Sequence, residues 1–148
     1  MRETLNRFKP TCEIICWTAG HPEYANKVMD YIDPDRSIFD MRLFRDQCYV
    51  TSKGLYIKDL RMINRDLDRC ILVDNYLYSF GFQIENGIMI LPFQGETDDT
   101  ELLTLGEYLE NLMKQGNFRE FNSRHFRYKE LAKLKNMQDA KKVMLGKN

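Results

Sequence analysis

The sequence lacks any apolar run long enough to cross a membrane; its hydrophobic stretches last only a few residues, against the roughly 20 a spanning helix needs. The first ten residues carry Arg2, Glu3, Arg7 and Lys9 with no apolar stretch behind them, so no secretory signal is expected. Cysteine is sparse: Cys12, Cys16, Cys48 and Cys70. On a shared strand Cys12 and Cys16 stand roughly 13 Å apart, too far for one zinc at ~2.3 Å per sulfur. None of the four has Arg six residues on, which excludes a cysteine-based phosphate loop. These thiols read as reduced and structural, in an intracellular compartment. Of the two histidines, His21 reads as a helix-start residue and His125 suggests nothing specific.

What is present is an ordinary globular composition: 148 residues, 43% hydrophobic and 30% charged, with zero net charge. The charge is unevenly placed. From residue 117 onward there are nine Lys and Arg against three Asp and Glu, a balance of +6, which leaves −6 on the first 116 residues. The division expected is a globular body over 1–116 and a basic, helical extension over 117–148, with Ala132 to Met144 as a solvated helix. Phe118, Phe121, Phe126 and Tyr128 interleave with the basic residues.

The stretch that organises the chain is Cys70-Ile71-Leu72-Val73-Asp74-Asn75. A short all-apolar run is the pattern of a parallel strand buried on both faces. Its polar end stands where open α/β sheets hold ligands. Glu13 to Thr18 has the same form and ends in a hydroxyl. Gly87 to Leu91 is a third such run. Gln47 to Thr51 and Leu55 to Lys58 flank Ser52-Lys53-Gly54, a hairpin pattern. Arg42 to Arg45 reads as a short strand or edge. Helices are expected over Met1–Lys9, from His21-Pro22 to Asp33 with Tyr24, Val28, Tyr31 and Ile32 as its core face, and from Asp98 to Gly116 with a Leu102, Leu105, Leu109, Leu112 stripe. Alternating strands and helices imply an α/β fold with a mostly parallel sheet and the hairpin as a projecting flap.

Trp17-Thr18-Ala19, Leu43-Phe44-Arg45, Tyr56-Ile57-Lys58-Asp59-Leu60, Asn64-Arg65-Asp66-Leu67 and Val73-Asp74-Asn75 occur in that order at suitable spacing. Together they resemble the carboxy-terminal-domain phosphatase (NLI-interacting-factor-like) branch of the haloacid dehalogenase superfamily, over roughly Arg2 to Leu112. The resemblance implies a Rossmannoid parallel sheet. It implies that Thr18 hydrogen-bonds a phosphoryl oxygen and that Lys58 offsets charge on a phosphorylated intermediate. It implies that Asn75 gives an oxygen to Mg²⁺ and that Asp74 orients the site. Such chemistry is mostly positioning and charge stabilisation.

One motif of that family is not found. Its Asp-x-Asp-x-Thr/Val, at the end of a central first strand, carries the nucleophile and the general acid, several tens of residues before Trp-Thr-Ala. Here sixteen residues precede Trp17 and none is Asp. Asp33-Pro34-Asp35 follows a helix, and Asp66-Leu67-Asp68 precedes a strand instead of following one. The expectation is therefore a phosphatase-like sheet missing its central strand, between the strands of Glu13–Trp17 and Cys70–Val73. Two bared ladder edges, at ~1–3 kcal/mol for each buried unpaired group, rival a domain's ~5–15 kcal/mol of stability. Another chain's strand could fill the slot, the protein could be longer, or the flanking strands could pair directly.

Three functions follow. The first is a catalytically deficient phosphatase-like domain serving as a structural or interaction subunit of a larger assembly, with a protein partner and a tail suited to an acidic surface. The second is a Mg-dependent protein serine/threonine phosphatase whose nucleophile segment is absent from this chain. The third is a nucleic-acid or anionic-surface binder acting through the tail. The resemblance spans a nuclear and a mitochondrial branch, so it implies an intracellular site without choosing between them.

Overall fold

Six short strands and four helices are joined by single turns of 3-10 helix in the computed structural model, which describes residues 1–127. The helix expected over Ala132–Met144 lies outside the described residues. Helix α1 (Arg2–Phe8) ends before Pro10 and buries Phe8. Strand β1 (Ile15–Trp17) leads through a tight turn to α2 (Pro22–Ile32), where Pro22 occupies the first helical position, its missing N–H causing no loss. Strand β2 (Met41–Leu43) returns parallel to β1 in the register Ile15–Met41, Cys16–Arg42, Trp17–Leu43.

The hairpin follows as expected, though with shorter arms: β3 (Tyr49–Val50) and β4 (Tyr56–Ile57) pair antiparallel, and Gly54 in the loop has φ +76°. Strand β5 (Leu72–Asp74) then pairs parallel with β6 (Gly87–Met89), Leu72 opposite Gly87 and Asp74 opposite Met89. Helix α3 (Glu101–Met113) buries Leu112, and α4 (Phe118–Phe126) closes the described chain.

The single mostly parallel sheet expected from the sequence is instead two separate parallel pairs, β1–β2 and β5–β6, beside the hairpin. No ladder joins β1 to β5 among the described residues. The two halves are joined by side chains: Trp17 of β1, Leu72 of β5, Leu60 and the fully buried Phe80 form one apolar cluster. Burial of an aromatic ring of this kind stabilises by about 1.5–3 kcal/mol. The packing there is close. A Cβ on Gly87 would lie 2.0 Å from the Phe80 ring, so only glycine lets β6 approach it.

Two expectations are corrected. The outer stripe of α2 is not core: Tyr24 is 71% and Tyr31 80% exposed, Val28 is exposed too, and Ala25 and Met29 face inward instead. Ala25 lies beside the β1 turn, its Cβ 3.9 Å from the position a Cβ would take on Gly20, so this is the face the helix seats on the body. The start of α3 also moves, from Asp98 to Glu101, because Asp99 Oδ1 accepts from the Glu101 N–H.

Helix α4 belongs to the packed body. Its Asn122 is fully buried, donates through Nδ2 to the carbonyls of Glu85 (2.8 Å) and Gly87 (2.7 Å), and accepts from the Tyr108 hydroxyl (2.8 Å). Thus residues 118–126 pack against the strand that neighbours β5 and against α3.

Candidate functional site

The carboxyl ends of β1 and β5 converge on a cleft of about 260 Å³, which the hairpin borders through Tyr56 and Lys58. Thr18, Lys58, Asp74 and Asn75, drawn from three separate stretches, all line it. Each is placed by its backbone. Thr18 N–H continues the β1–β2 ladder to the Leu43 carbonyl at 3.0 Å. Lys58 N–H leaves the hairpin and donates to the Ser79 carbonyl at 2.8 Å. Asp74 is the last residue of β5, and its carbonyl accepts from Ile90 N–H at 3.1 Å.

The side chains form a small charge system. Lys58 Nζ donates to Asp74 Oδ2 at 2.6 Å, and both residues are buried. Asp74 Oδ1 accepts from Tyr76 N–H at 2.8 Å, so both carboxylate oxygens are engaged. Thr18 Oγ1 accepts from Gly20 N–H at 3.0 Å. That bond uses a lone pair and leaves the hydroxyl hydrogen to be donated into the cleft. Burial pushes the Tyr78 phenol up, with Tyr76 and Asp74 adding to the shift, so it stays a neutral donor.

None of the four cysteines lines the cleft. Burial pushes the thiols of Cys16, Cys48 and Cys70 up, although Lys58 pulls the first two down in part. A protonated thiol is a weak nucleophile.

Asp74 and Asn75 are the side chains in the lining that would give oxygens to a cation. Mg²⁺ takes six oxygens in a strict octahedron and is held through one or two carboxylates, with water or phosphate oxygens completing the shell. The Asp74 oxygens accept one hydrogen bond each, from Lys58 and from Tyr76 N–H, and keep lone pairs beyond these. Among the described residues no group of three His, Cys, Asp or Glu gathers into a larger site.

Sequence reasoning missed the aromatic rim. Tyr76 and Tyr78 stack at 5.1 Å and, with Tyr56, line the cleft. Both follow closely on Asp74-Asn75, Tyr76 at the start of the 3-10 turn Leu77–Phe80 and Tyr78 within it. Gly20 was also missed: a Cβ there would lie 3.2 Å from Thr18 Oγ1.

Comparison with known proteins agrees with this fold. The model of the family described as NLI interacting factor-like phosphatase matches residues 1–119. CTD small phosphatase-like protein 3 of Caenorhabditis elegans is 40% identical over 116 residues, 78% of this chain and 40% of its own length. The mitochondrial import inner membrane translocase subunit TIM50 of Eremothecium gossypii is 37% identical over 103 residues, 70% of this chain and 21% of its own length. The chain therefore spans two fifths or less of these relatives. Among solved structures, Fcp1, an essential RNA polymerase II CTD phosphatase, superposes with a TM-score of 0.53 at 21% identity, covering 78% of this chain and 37% of that one. With the family model matching most of the chain and relatives up to 43% identical, this chain belongs to the NLI interacting factor-like phosphatase family.

Proposed function

We propose that this chain is a catalytically deficient phosphatase-like module that works as a structural or interaction subunit of a larger assembly. The observation that carries the reading is the Lys58–Asp74 pair. The cleft offers a hydroxyl and an amine for a phosphoryl group, but Asp74, the one carboxylate in its lining, is ion-paired with Lys58, and among the described residues no second carboxylate lines the cleft to divide the roles of nucleophile and general acid. The inner edges of β1 and β5 support the assembly part of the reading, since neither takes part in a ladder among the described residues. An extended segment that adds there would satisfy both edges at once. That a translocase subunit shares the family supports a role in a complex.

The alternative is a Mg-dependent protein serine/threonine phosphatase whose nucleophile lies on a segment outside this chain. The small share of the relatives' length that the chain spans favours it. One experiment separates the two. Orthophosphate release from a phosphoserine peptide is measured with Mg²⁺, for the 148-residue chain and for the longest natural product that contains it. No release from either, together with a stoichiometric protein partner in native mass spectrometry, is the expected result. Release by the longer product, abolished by Lys58→Ala, would establish the alternative.

A further inference from the structure

We propose that Arg45 is a positioning residue that ties the two halves of the cleft together and fixes the separation between the Thr18 hydroxyl and the Lys58 amine. The inference rests on the reading of the cleft as an anion pocket. Arg45 follows β2, outside the lining of the cleft, yet it reaches two of its walls. On one side, its Nε donates to the Ala19 carbonyl at 2.6 Å and its backbone N–H to the Gly20 carbonyl at 3.2 Å. These two residues follow Thr18, and the Gly20 N–H holds its Oγ1. On the other side, the guanidinium lies over the Tyr56 ring, 4.9 Å from its centroid, two residues before Lys58.

A third tether orients the fork: Nη1 donates to His21 Nε2 at 2.8 Å, which makes that ring nitrogen the acceptor. Among the described residues no carboxylate pairs with Arg45, so its placement comes from carbonyls, an imidazole and an aromatic face. This matters because no backbone ladder links the β1–β2 half to the hairpin among the described residues. A planar guanidinium can bond along its edge and stack through its face at the same time; an ammonium, a single point of charge, cannot.

The test uses the full 148-residue chain, with inorganic phosphate as probe, in Arg45→Lys, Arg45→Gln and His21→Ala. Calorimetry gives phosphate affinity, and amide resonances of residues 18–20 and 56–58 report the geometry, with those of α3 and α4 as the folding control. If position matters more than charge, Arg45→Lys and Arg45→Gln both weaken phosphate by about tenfold, and both segments shift. His21→Ala, at the surface, gives smaller shifts in the same two segments. Phosphate binding by Arg45→Lys equal to the parent would overturn the proposal, as would shifts confined to residues 18–20 in all three variants. If the parent chain binds no phosphate, the anion-pocket reading falls by itself. The amide map then decides on Arg45, shifts in both segments sustaining the coupling and shifts in one refuting it.

Discussion

Lys58 Nζ and Asp74 Oδ2 lie 2.6 Å apart in a setting where both residues are more than nine-tenths buried. A buried pair contributes little net stability, but removing one member strands the other. Lys58→Met is expected to cost about 3–5 kcal/mol, read as a fall in urea midpoint with an unchanged slope. The double change Lys58→Met with Asp74→Leu should recover most of that loss. A double variant whose loss equals the sum of the Lys58→Met and Asp74→Leu losses would show that the pair is not coupled.

Gly20→Ala tests the Thr18 hydroxyl. The new Cβ, 3.2 Å from Oγ1, must push the hydroxyl by a few tenths of an ångström. Inorganic phosphate binding should weaken several-fold while the melting temperature shifts little, because the turn has an ordinary backbone conformation. Undiminished binding would remove Thr18 from the anion site.

Asp59 makes stability depend on acid. The Arg61 fork, at 2.6–3.1 Å, pulls its carboxyl down from 3.8 to about 2, helped by the Arg61 N–H and Gln83. A folded-state value below the unfolded one stabilises above about pH 4 and is lost as pH falls towards 2. Arg61 is largely exposed, so screening reduces the contribution to on the order of 1 kcal/mol. Asp59→Asn should flatten the dependence of the urea midpoint on pH between about 4.5 and 2.5; a variant with the parent's slope would assign the loss elsewhere.

Asn122→Ala removes three hydrogen bonds inside the body, to the Glu85 and Gly87 carbonyls and from the Tyr108 hydroxyl. The expected cost is about 1.5–4 kcal/mol, at roughly 0.5–1.5 kcal/mol for each bond lost. Faster amide exchange in α4 and β6, with α2 unaffected, would localise the damage.

Much of this was legible in the sequence because short apolar runs ending in polar pairs have one common use. Leu72–Asp74 and Ile15–Trp17 are strands, and the lysine of Tyr56-Ile57-Lys58 reaches the Asp74 that the next strand delivers. The α2 face was misjudged because Tyr24, Val28 and Tyr31 share a helical period with the true inward residues Ala25 and Met29, offset by one position. Periodicity alone cannot choose between two such stripes; the closeness of the Gly20 turn does. The role of Arg45 was invisible for another reason. Its partners are two carbonyls, an imidazole and a ring face, brought together only by the fold.

The division of the strands into two parallel pairs has a kinetic consequence. Ile15 meets Met41 across 26 residues, and Leu72 meets Gly87 across 15, so each pair closes its own crossover without waiting for the other. The entropy of closing loops of such similar size differs by well under about 1 kcal/mol. The two units can therefore nucleate independently and at comparable rates. A pair of three-residue strands is marginal by itself, so each unit persists only once the two dock around Phe80.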